Sequence, residues 1–247
     1  MKTAAAICLA LLMALSLPAC GSESGKDLSS QNMSPSSSSG LVIAESEEPE
    51  DPKESSSSAN AGNTEILVAY FSYGENADLP AGVDATTTAS IQTVNGELTG
   101  NTGAVAHMIA EATGANLFSI QTVEKYPDTY DATMEQGQEE KNTQARPALV
   151  SLPEGLDRYR VIFLGYPNWW GDMPMALYSF LDQVDLSGKT VIPFVTSGGS
   201  GFSGTVSAIQ DLEPDAVVQE GIAIRDIDTA SAGEQIREWL LEAGIVE

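Results

Sequence analysis

From Thr64 onward the chain alternates short apolar runs with segments whose apolar residues recur every three or four positions. Ile66-Leu67-Val68-Ala69-Tyr70-Phe71 is continuously apolar, the pattern of a strand buried on both faces. Val105, Met108, Ile109 and Ala112 follow at helical spacing, and Gly114 ends that helix. Further strands are expected at Asn116 to Gln121, Arg160 to Tyr166, Thr190 to Thr196 and Ala216 to Ile222. Helices are expected over Ala176 to Leu181, with Pro174 at the start, over Thr205 to Leu212, and over Ala232 to Ala243. The last turns Ile236, Trp239 and Leu240 inward. Five strands separated by helices imply right-handed crossovers and one parallel sheet covered on both faces, an α/β fold.

The first 63 residues do not share this pattern. Residues 1–20 read as an export signal, with Lys2 ahead of an apolar run from Ala4 to Leu17 that is short for a membrane span. Leu17-Pro18-Ala19-Cys20-Gly21 resembles a bacterial lipobox, in which Cys20 would become the lipidated first residue; ordinary secretory cleavage near Ala19 is the alternative. Residues 21–63 carry Ser36 to Ser39, Ser55 to Ser58 and an acidic patch from Glu45 to Glu54, with 8 acids against 2 bases. That composition buries too little apolar surface to offset its ordering entropy and reads as a self-repelling tether. Residues 64–247 are then the folded domain.

Charge narrows the functional classes. The 247 residues hold 35 acids and 11 bases, a formal net charge of −24, and the domain keeps 27 acids and 8 bases. Such a surface repels phosphate backbones and anionic lipid, which excludes nucleic acid and leaves an anchor at Cys20 as the expected route to a membrane. The two cysteines, Cys8 and Cys20, both precede the domain, so neither a disulfide framework nor thiol catalysis is expected. His107 is the single histidine, which argues against multi-histidine metal sites. It also stands in the wrong chain order relative to Ser200 for an α/β-hydrolase, and reads as a solvated or half-buried surface residue.

In an open parallel sheet, ligands bind beyond the carboxyl ends of the strands. Ser72 follows the first strand, and Thr99-Gly100-Asn101-Thr102-Gly103 opens the first helix, where free amides and hydroxyls suit an anion. No lysine is there, so it is not a Walker A loop; an ordinary N-cap is the plain alternative. Asn168-Trp169-Trp170-Gly171 follows the third long strand, and two adjacent tryptophans in a turn suit a stacked planar ligand, or else cover the helix that follows. Thr196-Ser197-Gly198-Gly199-Ser200-Gly201 is a loop whose backbone can approach a flat ring closely.

Tyr70-Phe71-Ser72, Thr99-Gly100-Asn101-Thr102, Gly165-Tyr166-Pro167-Asn168-Trp169-Trp170-Gly171 and Thr196-Ser197-Gly198-Gly199, in that order, resemble the flavodoxin family. The likeness is to its members with a Y-P-x-W-W-G loop, and it covers residues 64–247. The resemblance implies a flavodoxin-like three-layer sandwich with a five-stranded parallel sheet, carrying FMN. By that likeness Ser72, Thr99, Gly100, Asn101 and Thr102 would hold the phosphate. Pro167, Asn168, Trp169, Trp170 and Gly171 would flank one face of the isoalloxazine, and Thr196, Ser197, Gly198 and Gly199 its pyrimidine edge. It also implies a peptide in the Asn168 to Gly171 turn that reorients as the flavin is reduced.

One departure stands out: Tyr73 to Leu98 separate Ser72 from the Thr99 motif, where family members have one or two residues. Within this insert, Asp84 to Ser90 loosely resembles an acceptor for covalently attached FMN, at Ser90; a Thr/Ala-rich loop is the plainer account. Asp128 to Gln144, with Glu135, Glu139 and Glu140, reads as a solvated helix or loop beside the site, and so do Asp172 and Asp182, though acids near the flavin would lower its potential. The expected function is an FMN-binding electron-transfer protein tethered outside the cytoplasmic membrane, with a basic redox protein as partner. Two alternatives stay open: an FMN-dependent NAD(P)H:quinone or small-molecule reductase, and a flavin-free surface binding module.

Overall fold

The structure, a computed structural model, describes residues 65–80 and 91–247. The expected signal segment, Cys20, the tether and the candidate acceptor Ser90 lie outside the described residues.

The first strand, β1 (Ile66–Tyr70), is buried along its whole length, as its unbroken apolar run requires. A single helical turn follows, α1 (Tyr73–Asn76). Then come β2 (Ile91–Val94) and β3 (Glu97–Gly100), an antiparallel hairpin apart from the main sheet, and α2 (Asn101–Thr113). Gly114, at φ 67°, closes α2 with its amide on the Ala110 carbonyl, a glycine stop of the left-handed kind. After it come β4 (Asn116–Ser119), α3 (Tyr130–Thr143), β5 (Val161–Pro167), α4 (Met175–Leu181), β6 (Thr190–Ser197) and α5 (Thr205–Leu212). The chain ends with β7 (Val217–Val218), β8 (Ile222–Arg225) and α6 (Gly233–Glu242).

The main sheet is parallel, in the order β4-β1-β5-β6, with β7 and β8 both on the outer side of β6. Alternate side chains of β1 serve opposite cores. Ile66, Val68 and Tyr70 face Val105 and Ile109 of α2 and Ile236 and Leu240 of α6. Leu67, Ala69 and Phe71 join Leu177 and Phe180 of α4 and Ile209 of α5. The result is three layers, with helices on both faces of the sheet.

The fifth strand differs from expectation. Ala216 to Ile222 is not one strand: β7 pairs with Thr190 and Val191, and β8 pairs with Phe194 to Ser197. Between them the backbone of Gly221 passes so close to the Pro193 carbonyl that any Cβ would run into it. The two pieces occupy one sheet position around this pinch. The Thr99 motif also differs, because Thr99 and Gly100 are the last residues of β3 and only Asn101 and Thr102 belong to α2. The hairpin turns at Asn95 and Gly96, φ 53° and 84°, the positive pair that a two-residue type I′ turn needs.

Candidate functional site

Strand order reverses at β1 and β5, so the loops leaving their carboxyl ends diverge and open a crevice. A cavity of about 190 Å³ lies there. Ser72 follows β1, Asn101 and Thr102 begin α2, Pro167, Asn168 and Trp169 end β5, and Thr196, Ser197 and Gly198 end β6. Tyr73 of α1, Tyr130 and Met134 of α3, and Asp226 after β8 complete the lining.

The floor is a set of neutral hydrogen-bonding groups at a helix N-terminus. The Ser72 hydroxyl is fully buried and has no hydrogen-bond partner among the described residues. The hydroxyls of Thr102 and Thr196 meet at 2.7 Å, joining α2 to β6 beneath the cavity. A buried hydroxyl left unpaired is costly, so Ser72 suits a site whose occupant accepts a hydrogen bond. The α2 amides and dipole favour an anion at this helix end. None of the described lining residues is Lys or Arg.

Asn76, which the sequence reading missed, holds the exit of β1 in place. Its Nδ2 donates to the carbonyls of Ser72 at 2.9 Å and Ile120 at 3.0 Å. Its Oδ1 accepts from the Thr122 amide at 2.8 Å and the Thr122 hydroxyl at 3.2 Å. All of this side chain's main capacity is used. Thr99 is placed differently from expectation: it does not line the cavity, and its hydroxyl donates to Glu75 Oε1 at 2.5 Å. The Tyr70 hydroxyl donates to the same oxygen at 3.1 Å. Burial, reinforced by that carboxylate, raises the Tyr70 phenol well above its ordinary value.

The two tryptophans separate. Trp169 lines the cavity and stands edge-on to Phe71, at 5.5 Å between centroids, and to Tyr126, at 5.3 Å. Its six-membered ring lies over Gly137 of α3, where a Cβ would approach to 3.2 Å. Trp170 and Gly171 are not among the described lining residues, and Trp170 is 47% exposed. Trp169 and Asp172 exchange backbone hydrogen bonds of 2.9 and 3.0 Å around Trp170 and Gly171, whose φ values are 55° and 75°. Positive φ is strained for a bulky residue, and three contacts hold it. The Trp170 indole N–H donates to the Met134 carbonyl at 3.0 Å, and Lys141 Nζ donates to the Trp170 carbonyl at 2.7 Å. The Gly171 amide donates to Asn168 Oδ1 at 3.0 Å. Both rings therefore pack toward α3, which precedes the loop, rather than toward α4, which follows it.

The glycine-rich loop is braced by Ser197, whose hydroxyl accepts from the amides of Gly199 at 3.3 Å and Gly201 at 3.0 Å. Asn168 crosses to it, donating to the Gly201 carbonyl at 2.7 Å and the Ser203 hydroxyl at 2.9 Å. The predicted residues brought together at the cavity are thus Ser72, Asn101, Thr102, Pro167, Asn168, Trp169, Thr196, Ser197 and Gly198. Thr99, Gly100, Trp170, Gly171 and Gly199 lie behind or beside it. The polar stretch Asp128 to Gln144 is largely α3, and it is a wall of the site through Tyr130 and Met134. His107 is half-buried, edge-on to Tyr70 at 6.5 Å. Among the described residues no cluster of three metal-ligating side chains occurs, and no helix is long and apolar enough to cross a membrane.

The family model described as "Flavodoxin" matches residues 91–243. Among solved structures, a candidate flavoprotein of Bacteroides eggerthii is 28% identical, with a TM-score of 0.56, covering 73% of this chain and 98% of its own. One from Bacteroides uniformis is also 28% identical, with a TM-score of 0.54, covering 72% and 97%. A flavoprotein of Lactobacillus acidophilus in complex with FMN is 19% identical, with a TM-score of 0.48, covering 70% and 99%. No curated protein matches.

Proposed function

The chain belongs to the flavodoxin family, and on that premise we propose that it binds FMN and transfers electrons at the outer face of the cytoplasmic membrane, anchored through Cys20. The observation that carries this reading is the unpaired, fully buried Ser72 hydroxyl beside Asn101 and Thr102 at the start of α2. Those residues fit a phosphate, because each is a neutral donor and the helix end supplies the favourable field. Trp169 gives a planar ligand an aromatic neighbour, and Thr196 to Gly198 offer backbone and hydroxyl groups to a polar ring edge. FMN, when bound, would supply the redox chemistry, and the chain would supply binding, orientation and electrostatics. Phe71, Tyr126 and Gly137 hold Trp169, and Ser197 and Asn168 hold the glycine-rich loop. Asp226 on the rim adds negative charge, which opposes charge gained on reduction. The acidic surface favours a basic redox protein as partner, with association weakened by salt.

The test is the visible spectrum of the purified chain titrated with FMN and then with dithionite. Flavin bands that shift and lose fluorescence on binding, and bleach on reduction, support the reading. An unchanged spectrum at micromolar FMN overturns it and favours a flavin-free binding module. A reductase of small acceptors, using the same cavity, is the second reading. Turnover of NAD(P)H by the FMN-loaded chain would select it.

A further inference from the structure

Glu75 sits on the single turn α1, three residues after Ser72, and its carboxylate faces the first turn of α2. Oε1 takes the hydroxyl hydrogens of Thr99 and Tyr70. A Cβ on Gly103, the third residue of α2, would fall 2.8 Å from Oε1 and would also collide with the Thr99 hydroxyl. Among the described residues Oε2 is buried with no partner and no ion pair reaches this carboxylate. Lys125, the nearby cation, spends its ammonium on the Glu75 backbone carbonyl at 2.6 Å and on Gln121 Oε1 at 3.2 Å. A built-in anion thus occupies the same helix end whose amides and dipole would hold a ligand phosphate.

We infer that Glu75 is a specificity-determining residue of this site, whose carboxylate lowers the preference for a phosphorylated flavin over an unphosphorylated one. This rests on the flavin reading above. Glu75 is not itself a lining residue, but its carboxylate stands behind the α2 start, and like charges repel through a partly desolvated setting. A phosphate dianion therefore gains the hydrogen bonds of Ser72, Asn101 and Thr102 against the field of Glu75, whereas riboflavin meets no such opposition. Thr99 deepens the effect, because its hydroxyl is turned to the carboxylate and withdrawn from the ligand. The glycine at 103 is required by this arrangement, since any side chain there would displace Glu75 or Thr99.

The experiment measures dissociation constants of FMN and of riboflavin by flavin fluorescence, on the full chain and on Glu75→Gln and Glu75→Asp. Gln keeps an oxygen for Thr99 and Tyr70 but removes the charge; Asp keeps the charge. The unaltered chain should prefer FMN by no more than about tenfold. Glu75→Gln should tighten FMN about tenfold while riboflavin moves less than about twofold. Glu75→Asp should keep the original ratio. A preference above about a thousandfold in the unaltered chain overturns the inference, even if Glu75→Gln fails to fold. So does an unchanged ratio in Glu75→Gln, or a change of equal size in Glu75→Asp, which would mark a structural role. If neither flavin binds, the flavin reading itself falls; if both bind and the ratio is indifferent to Glu75, only this inference does.

Discussion

Replacing Asn76 by Ala removes one side chain and unties two loops. Asn76 is buried and makes four hydrogen bonds, two to carbonyls, one to an amide and one to a hydroxyl. The Thr122 hydroxyl keeps the Glu124 carbonyl at 2.7 Å, so its loss matters least. The Ile120 carbonyl and the Thr122 amide each lose a buried partner, at about 1–3 kcal/mol apiece, and the Ser72 carbonyl, which as the α1 N-cap also takes the first intrahelical bond, loses less. Water entering the vacated space recovers part of this, so about 3–5 kcal/mol is expected, a large share of the 5–15 kcal/mol typical of a domain. In urea, read by tryptophan fluorescence, the midpoint should fall by about 1–3 M at an unchanged slope. Asn76→Asp should be at least as damaging, because it keeps the shape but turns a carboxylate oxygen toward two carbonyls. A midpoint within about 0.3 M of the unaltered chain for Asn76→Ala would refute the reasoning.

Gly137→Leu should push Trp169 out of its place, since even a Cβ there stands 3.2 Å from the ring; blue-light absorbance of bound FMN would show at least about tenfold weaker binding. Lys141→Met should release the Trp170 carbonyl and the Asp172 carboxylate, 3.5 Å from Nζ, at a cost of about 1 kcal/mol because the pair is partly exposed; faster acrylamide quenching of tryptophan would reveal the loosened turn. Burial raises the phenols of Tyr70, Tyr126, Tyr166 and Tyr178 above the ordinary value of 10.0. The folded state then keeps protons that the unfolded state releases, so their stabilisation is complete below pH 10 and is lost as pH rises above it. Each such tyrosine forfeits about 1.4 kcal/mol per pH unit there, and ultraviolet absorbance of tyrosinate should rise together with loss of helix signal. Separate titration near pH 10 with the fold intact would contradict the burial argument.

The sheet was legible because a strand covered on both faces is written as an unbroken apolar run, and β1, β5 and β6 all are. The fifth position was misread because the pinch at Gly221 depends on Pro193, nearly thirty residues away, and no local pattern reports it. The hairpin β2–β3 is written locally, since Asn95-Gly96 between two short runs is the strongest short-range hairpin signal. At the site, Ser72, Asn101, Thr102 and Trp169 were visible as loop chemistry after strands. Asn76 and Glu75 were not, since their partners at Thr122, Ile120 and Thr99 are more than twenty residues distant in the chain. The α3 wall shows in the sequence only as polarity, because one side chain per turn, Tyr130 and then Met134, reaches the cavity.

The broken fifth strand has a consequence for how such molecules meet one another. A sheet's outermost strand presents unpaired amides and carbonyls, and a long straight one recruits a neighbour's strand to continue the ladder. Here that border is cut into pieces of two and four residues, offset around Pro193 and Gly221. Neither piece is long enough to template a foreign chain, so this edge resists sheet-to-sheet growth when many copies are brought close together.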